Sequence, residues 1–353
     1  MKKNRKILVF TIAVWMMAGW LFLSGLFPVN QGLKVVAQSK RPDVIRLPSP
    51  SNLTGVYVYY VAEELGYVRA ENLKFQYVGV IATSQLLAAV VANQIDVGGA
   101  HVNRTIAGIN AGAKVKVVVA GTETTREIPH MTFVTLENSP IKSFKDIPGK
   151  KLGIYTFGGC NEYTTYAYLA KQGISNPKGK FEIVIIPAAK LEQALRQGDI
   201  DIAGLHDNPN NILARGGLKI LFTDFDVWGT IGGNTPSYFS EKFIKEKPDV
   251  VRRFVKVIAK TQDWINANPE KAVEITAKRA QVNPKLLRAN YFAPHGIIKE
   301  DSVQVWIDLL EKFGEIKPGI QPQNVYTNEF NEFYKQTKAK ATQAQSRKPK
   351  IGP

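Results

Sequence analysis

Two rhythms of apolar residues alternate along this chain. Leu86, Leu87, Val90 and Val91 recur at helical spacing, and Ile95–Gly99 follows as a short, largely apolar run with β-branched residues. A polar His101-Val102-Asn103 then leads into a further helical stretch. The same series returns later. Shifted by 105 positions, Ser84–Val117 lies ungapped on Ala189–Phe222, which places Leu86 on Leu191, Asp96 on Asp201, Gly99 on Gly204, His101 on His206 and Asn103 on Asn208. A helix–strand–helix unit that occurs twice predicts two similar lobes, with both His-x-Asn segments at equivalent strand ends. Ligands of open parallel sheets bind outside such carboxyl ends.

The rest of the pattern predicts strands at 43–47, 73–80, 115–120, 151–155 and 181–186. A helix is expected at 53–65 with Asn52 as its N-cap, and Thr83 or Ser84 is expected to cap the first repeat's helix. Residues 157–161 lead into a helix ending near Gln172, and 143–147 reads as a short helix or turn. The extended run 130–135 reads as a first crossing between lobes, and the glycine-rich 223–236 as the return. From 237 to 334 the pattern is helical, with one stripe at Phe254, Val257, Ile258 and Ile265 and another at Val305, Ile307, Leu309, Leu310 and Phe313. Alternating strands and helices predict an α/β fold with largely parallel sheets. The expected layout is a signal peptide or anchor at 1–37, a first part of lobe 1 at 43–132, lobe 2 at 133–232, a helical completion of lobe 1 at 233–335, and a disordered basic tail at 336–353. A ligand cleft lies between the lobes in this reading.

The net charge of +16 changes little. Residues 1–37 carry five basic and no acidic side chains, residues 338–353 carry five more, and the body between them keeps +6. No basic-aromatic cluster or helix-turn-helix pattern marks a nucleic-acid partner. Cys160 is the single cysteine, so an intrachain disulfide and a four-cysteine metal site are excluded. Such a residue reads as a small buried hydrophobe. Met1–Lys6 is basic and Ile7–Phe27 is uncharged. This reads as an export signal cut before Gln38 or, uncut, as a membrane anchor. Membrane contact is expected through this segment alone, with the folded part in the periplasm or on the extracytoplasmic face.

Several segments resemble a known family. Leu65-Gly66-Tyr67, Glu71-Asn72-Leu73 and Ala92-Asn93-Gln94-Ile95-Asp96-Val97-Gly98 are similar to the solute-binding proteins of nitrate/sulfonate/taurine-type ABC transporters. So are Ser139–Lys150, and Gln193-Ala194-Leu195 with Gly198-Asp199-Ile200-Asp201. The resemblance implies a type II-like periplasmic-binding fold that captures a small solute and passes it to a permease and ATPase complex. The chain departs from the related pyrimidine-precursor enzymes, whose cysteine-rich motif it lacks, and has His206-Asp207-Asn208 where an aromatic residue is frequent.

No nucleophile elbow, HExxH or P-loop is present, so no catalytic residue, cofactor or metal ligand is expected. The chain offers instead polar loops at strand ends, several of which open helices. Helix N-termini suit oxyanions. The candidate ligand-binding residues are Ser49, Ser51, Asn52, Thr83, Ser84, Gln85, His101, Asn103, Gly158, Gly159, Cys160, Asn161, His206 and Asp207. Gly158-Gly159 is the most anion-friendly, an imidazolium can assist, and Asp207 suits a ligand amine. Ser84, Asn103 and Asn208 read equally well as helix caps. The expected solute is an alkyl sulfonate, sulfate ester or taurine-like molecule. The alternatives are a neutral heterocycle such as a thiamine pyrimidine precursor, a lyase or dehydratase on the same fold, and a sensory ectodomain.

Overall fold

The computed structural model describes residues 41–50 and 53–338. The export segment, Ser51, Asn52 and the tail from 339 onward lie outside the described residues. Residues 332–338 are helical, so the helix runs into the first residues of the stretch expected to lack structure.

Twelve strands are described: β1 (Asp43–Ser49), β2 (Leu73–Val80), β3 (Val97–Gly99), β4 (Val115–Val119), β5 (Thr122–Glu123), β6 (Thr132–Leu136), β7 (Lys151–Ile154), β8 (Glu182–Ile185), β9 (Ile202–Leu205), β10 (Leu218–Thr223), β11 (Ser237–Ser240) and β12 (Tyr291–Phe292). They form a five-stranded sheet in the order β10-β6-β9-β7-β8, a three-stranded sheet β3-β11-β4, and the pairs β1-β2 and β12-β5. The 105-residue shift carries β1 to β4 onto β7 to β10, so the repeat extends well beyond the 34 aligned positions. Both β1-β2 and β7-β8 are parallel. Even single bonds recur. Asp96 accepts from the amide of Arg46 at 2.7 Å, and Asp201 accepts from that of Lys151 at 2.8 Å, again 105 positions on.

The sheets are not purely parallel, contrary to the sequence pattern. β11 lies between β3 and β4, antiparallel to both, and β6 lies between β9 and β10 in the same way. These are the strands that follow each crossing. The chain reverses as it crosses, so its first strand in the new sheet runs against its neighbours. The run from 237, expected to be helical, accordingly opens with a strand. Most of the 130–135 run expected to cross between lobes is strand β6. It is the stretch before it that lies beside the expected return segment: Thr124 N donates to Thr230 O at 3.1 Å and Thr122 Oγ1 to Gly233 O at 2.6 Å. Gly121 permits this approach, since a Cβ there would collide with the Thr235 carbonyl.

The helix expected at 53–65 spans only Val58–Glu64, with Tyr57 rather than Asn52 at its N-cap position. Residues before it run extended, bridging Gly55 to Arg288. A Cβ at Gly55 would meet Asn290 Oδ1, which accepts from Val56 N at 2.8 Å. Long-range pairing thus overrides the helical spacing. The helix Pro248–Ala267 buries the expected Phe254, Val257, Ile258 and Ile265, with proline in its first turn. In the helix Asp301–Lys312 the stripe turns so that Trp306 is fully buried while Val305 is only half-buried. Among the described residues no helix is long and apolar enough to cross a membrane.

Candidate functional site

A cavity of about 1150 Å³ is walled by both copies of the repeat and by the C-terminal segment. His101 follows β3, and His206 follows β9 at the equivalent place. Cys160 opens the helix Cys160–Lys171. His130 sits just ahead of β6, on the crossing strand. Arg288 comes from the connection after the short turn Pro284–Leu286. All five line the cavity.

His130 is held by its backbone. Its amide donates to Thr124 Oγ1 at 3.2 Å, and the next amide, Met131 N, donates to Asp224 Oδ1 at 3.0 Å. Thr124 Oγ1 also donates to Asp224 Oδ2, and Arg288 Nη1 to Pro129 O at 2.8 Å. The His130 ring stands 5.2 Å from that of His101 and 4.8 Å from that of His206, centroid to centroid. The Cys160 sulfur lies 3.6 Å from His130 Nε2 and 3.5 Å from His206 Nε2. Each imidazole is less basic than usual. Burial lowers His101 to about 4 and is the chief cause. It lowers His206 to about 3, reinforced by Arg288 and His101, although that ring is partly open to the cavity. His130 falls well below the ordinary value, first through burial and then through His206, His101 and Arg288. Burial also pushes the Cys160 thiol up to about 12. The imidazolium expected from the sequence is therefore not the resting state.

His101 carries a conflict. Its Nδ1 faces Asn103 Oδ1 at 3.1 Å and its Nε2 faces Gly232 O at 3.0 Å. Both partners are acceptors, and a neutral imidazole has a single N–H. One ring nitrogen therefore turns a lone pair toward an oxygen.

Arg288 is 5% exposed, and no described carboxylate lies within ion-pair distance of it. Its Nε has no partner, and burial lowers its basicity. A buried guanidinium without a counter-charge is costly. Gln262, which also lines the cavity, leaves Oε1 without a partner.

The candidates from the sequence scatter. Thr83, His101, Cys160, His206 and Asp207 line this cavity, whereas Ser84, Asn103 and Gly158 line a second one of about 300 Å³, which Thr83 also reaches. Ser49, Gln85, Gly159 and Asn161 line neither, and Ser51 and Asn52 lie outside the described residues. The glycine cradle is partly taken: Gly158 N, just ahead of the N-cap Gly159, donates to Glu162 Oε2 at 2.8 Å, so the chain's own carboxylate stands against that amide. Asn161 is spent on Gly204 O at 2.8 Å. Asp207 pairs with Arg215 at 2.8 Å and accepts from Asn208 N at 2.8 Å, which leaves it poorly placed for a ligand amine. Ser84 makes no cap bond, since the helix is entered through a 3₁₀ turn at Thr83–Gln85. Asn208 stands at an N-cap position without bonding the helix, and Asn103 lies inside its helix and bonds His101 and Gly158 O instead. His130 and Arg288 escaped sequence reasoning because neither belongs to the repeat or to a motif. One grouping of possible donor atoms was not foreseen from the sequence. His101, His130 and Cys160 place donor atoms within 4.8 Å of one another, though 29 and 30 residues separate them in sequence.

Known proteins share this architecture. The chain is 25% identical over 207 residues to a protein of Brucella abortus (strain 2308) named as a candidate binding protein, covering 54% of this chain and 63% of that relative's length. The alkanesulfonate-binding protein SsuA from Xanthomonas axonopodis pv. citri, solved bound to MOPS, superposes with a TM-score of 0.64 at 17% identity, covering 82% of this chain and 99% of that one. The desulfurization enzyme DszB superposes with a TM-score of 0.61 at 13% identity, covering 84% and 99%. The fold is therefore the two-lobed one of periplasmic binding proteins. Residues 53–272, more than half of the chain, match the family model described as NMT1/THI5 like, and the protein belongs to that family.

Proposed function

We propose that this chain is the extracytoplasmic solute-binding component of an ABC importer, taking up a small anionic or zwitterionic solute and delivering it to a permease and ATPase complex. One observation carries the reading: Arg288, buried on the cavity wall, has no carboxylate within ion-pair distance, Asp207 and Asp224 acting on it only from farther off, and its Nε has no partner. A sulfonate or sulfate ester supplies that charge and accepts from the idle Nε. The unpartnered Gln262 Oε1 suits an ammonium, as in a taurine-like zwitterion. The cavity of about 1150 Å³ accommodates a solute well beyond nitrate in size. The structurally similar SsuA, bound to a sulfonate buffer, supports the same class. The adjacent crossing segments form the hinge about which lobes at 43–132 with 233–335 and at 133–232 close on the solute. A melting-temperature screen over alkyl sulfonates, sulfate esters, taurine, nitrate and pyrimidines tests this. A dose-dependent rise for sulfonates or sulfate esters is expected, and a rise for pyrimidines alone overturns it.

An enzyme on this fold is the second reading, favoured by the Cys160 sulfur between His130 and His206. A thiol pushed to about 12 leaves little thiolate at neutral pH, which weighs against a nucleophile. Alkylation by iodoacetamide at pH 7 separates the two. Slow modification fits the binding protein, and rapid modification fits the enzyme.

A further inference from the structure

The cluster around Cys160 does something the anion reading does not use. We propose that Cys160, His130, His206 and His101 form a site for one thiophilic d¹⁰ cation, zinc(II) or copper(I), at the floor of the cleft. Ligands held about 2.0–2.3 Å from a tetrahedral ion lie roughly 3.3–3.8 Å from one another. The sulfur is 3.6 Å from His130 Nε2 and 3.5 Å from His206 Nε2, so two edges of such a tetrahedron already exist. The donor atoms of His101, His130 and Cys160 all fall within 4.8 Å of one another, so three ligands are gathered, and His206 joins them through its approach to the sulfur.

The lone pairs are also unspent. His130 is 8% exposed; its Nε2 faces the sulfur and its Nδ1 has no partner, so neither ring nitrogen is committed to a protein oxygen. His101, with two acceptors and one N–H, necessarily turns one lone pair against an oxygen. Coordination relieves this: one nitrogen binds the ion while the other donates to Asn103 Oδ1 or Gly232 O. Oriented imidazoles at metal sites are held by such second bonds. Hydrogen bonding within the cluster is a poorer solution. Sulfur is both a weak donor and a weak acceptor, so its bonds to the two imidazoles are feeble ones. No carboxylate is offered as a ligand, and sulfur and imidazole together select zinc or copper over magnesium or calcium. As the sulfur–metal bond forms, the thiol proton leaves to the buffer. Zinc(II) then keeps a single net positive charge beside Arg288, which strengthens the cleft's attraction for an anion, whereas copper(I) with the thiolate is neutral.

The inference stands independently of the transport reading, because the test uses metal alone. The full chain is titrated with zinc in competition with a chromophoric chelator, and separately with cobalt(II). Expected are one saturable zinc per chain and a thiolate-to-cobalt charge-transfer band. Cys160→Ser should remove the band, and His130→Gln should weaken zinc binding at least tenfold, with unchanged circular dichroism in both. His295→Ala should leave affinity intact, since His295 pairs with Asp263 outside the cavity. Should Cys160→Ser misfold, cadmium binding to the unmodified chain gives the sulfur ligation through its own thiolate absorption. No saturable zinc binding, or full affinity and an unchanged band in Cys160→Ser, overturns the proposal.

Discussion

The two copies of the repeat share a scaffold and divide the chemistry. Asp96 and Asp201 each hold the first strand of their own sheet unit by its backbone, in the same register. At the strand ends the copies part. His101 is enclosed by Asn103, Gly232 and the Trp306 ring at 4.4 Å, whereas His206 opens to the cavity and the Cys160 sulfur. Asn103 reaches from the first copy to Gly158 O at 2.9 Å, next to Arg104, which donates to Phe157 O at 2.9 Å. Asn208 keeps a longer bond to Ala289 O and an idle Oδ1. Duplication therefore preserved what positions a strand, and the residues just past it diverged into a clamped copy and an open one.

The largest effects should come from breaking the clamp. His101→Ala leaves Asn103 and Gly232 facing a void beside Trp306, and should cost about 2–3 kcal/mol in urea unfolding. His206→Ala should cost under about 1 kcal/mol there while weakening solute binding roughly tenfold. Equal stability losses in both would erase the distinction. Next come the shared carboxylates. Asp96→Ala also frees Arg46, paired at 2.6 Å, and should cost about 2 kcal/mol against about 1 for Asp201→Ala.

Acid should act on both copies. Folded values of about 4 and 3 lie below the unfolded 6.5, so the neutral imidazoles contribute stability that is fully present above pH 6.5 and lost as pH falls toward 3–4. Asp224, raised to about 6 by burial, works in the opposite sense, losing stability as pH rises from 3.8 to 6. The histidines outnumber it, so the melting temperature should drop on acidification from pH 6.5 to 4, and less steeply in His206→Gln. A flat profile would contradict this. The smallest effect is Ser84→Ala, within about 0.5 kcal/mol, because that hydroxyl caps nothing.

Much of this was legible in the sequence. Apolar period and the 105-residue shift located the repeated strands, because buried strands and amphipathic helices impose local spacing. The shift also pointed to His101 and His206. Strand direction was not legible: β6 and β11 run antiparallel only because the chain turns back at each crossing. The helix at 53–65 failed where Gly55 pairs with Arg288, a contact spanning 233 positions. Arg288 itself sits in an unremarkable stretch, and its lack of a direct ion pair is a property of three-dimensional burial. Gly158-Gly159 looked like an anion cradle, but Glu162, four residues on from Gly158, already accepts from the Gly158 amide.

The central claim is that the cleft holds an unpaired cation awaiting an anion. Calorimetric titration of MOPS and simpler alkanesulfonates into the full chain and into Arg288→Gln tests it most directly. Removing a buried charge that lacks a partner should leave the ligand-free melting temperature unchanged or higher. The same change should weaken sulfonate binding at least tenfold, in line with about 1.5–3 kcal/mol for a hydrogen bond to a charged group. Undiminished affinity in Arg288→Gln would contradict the account.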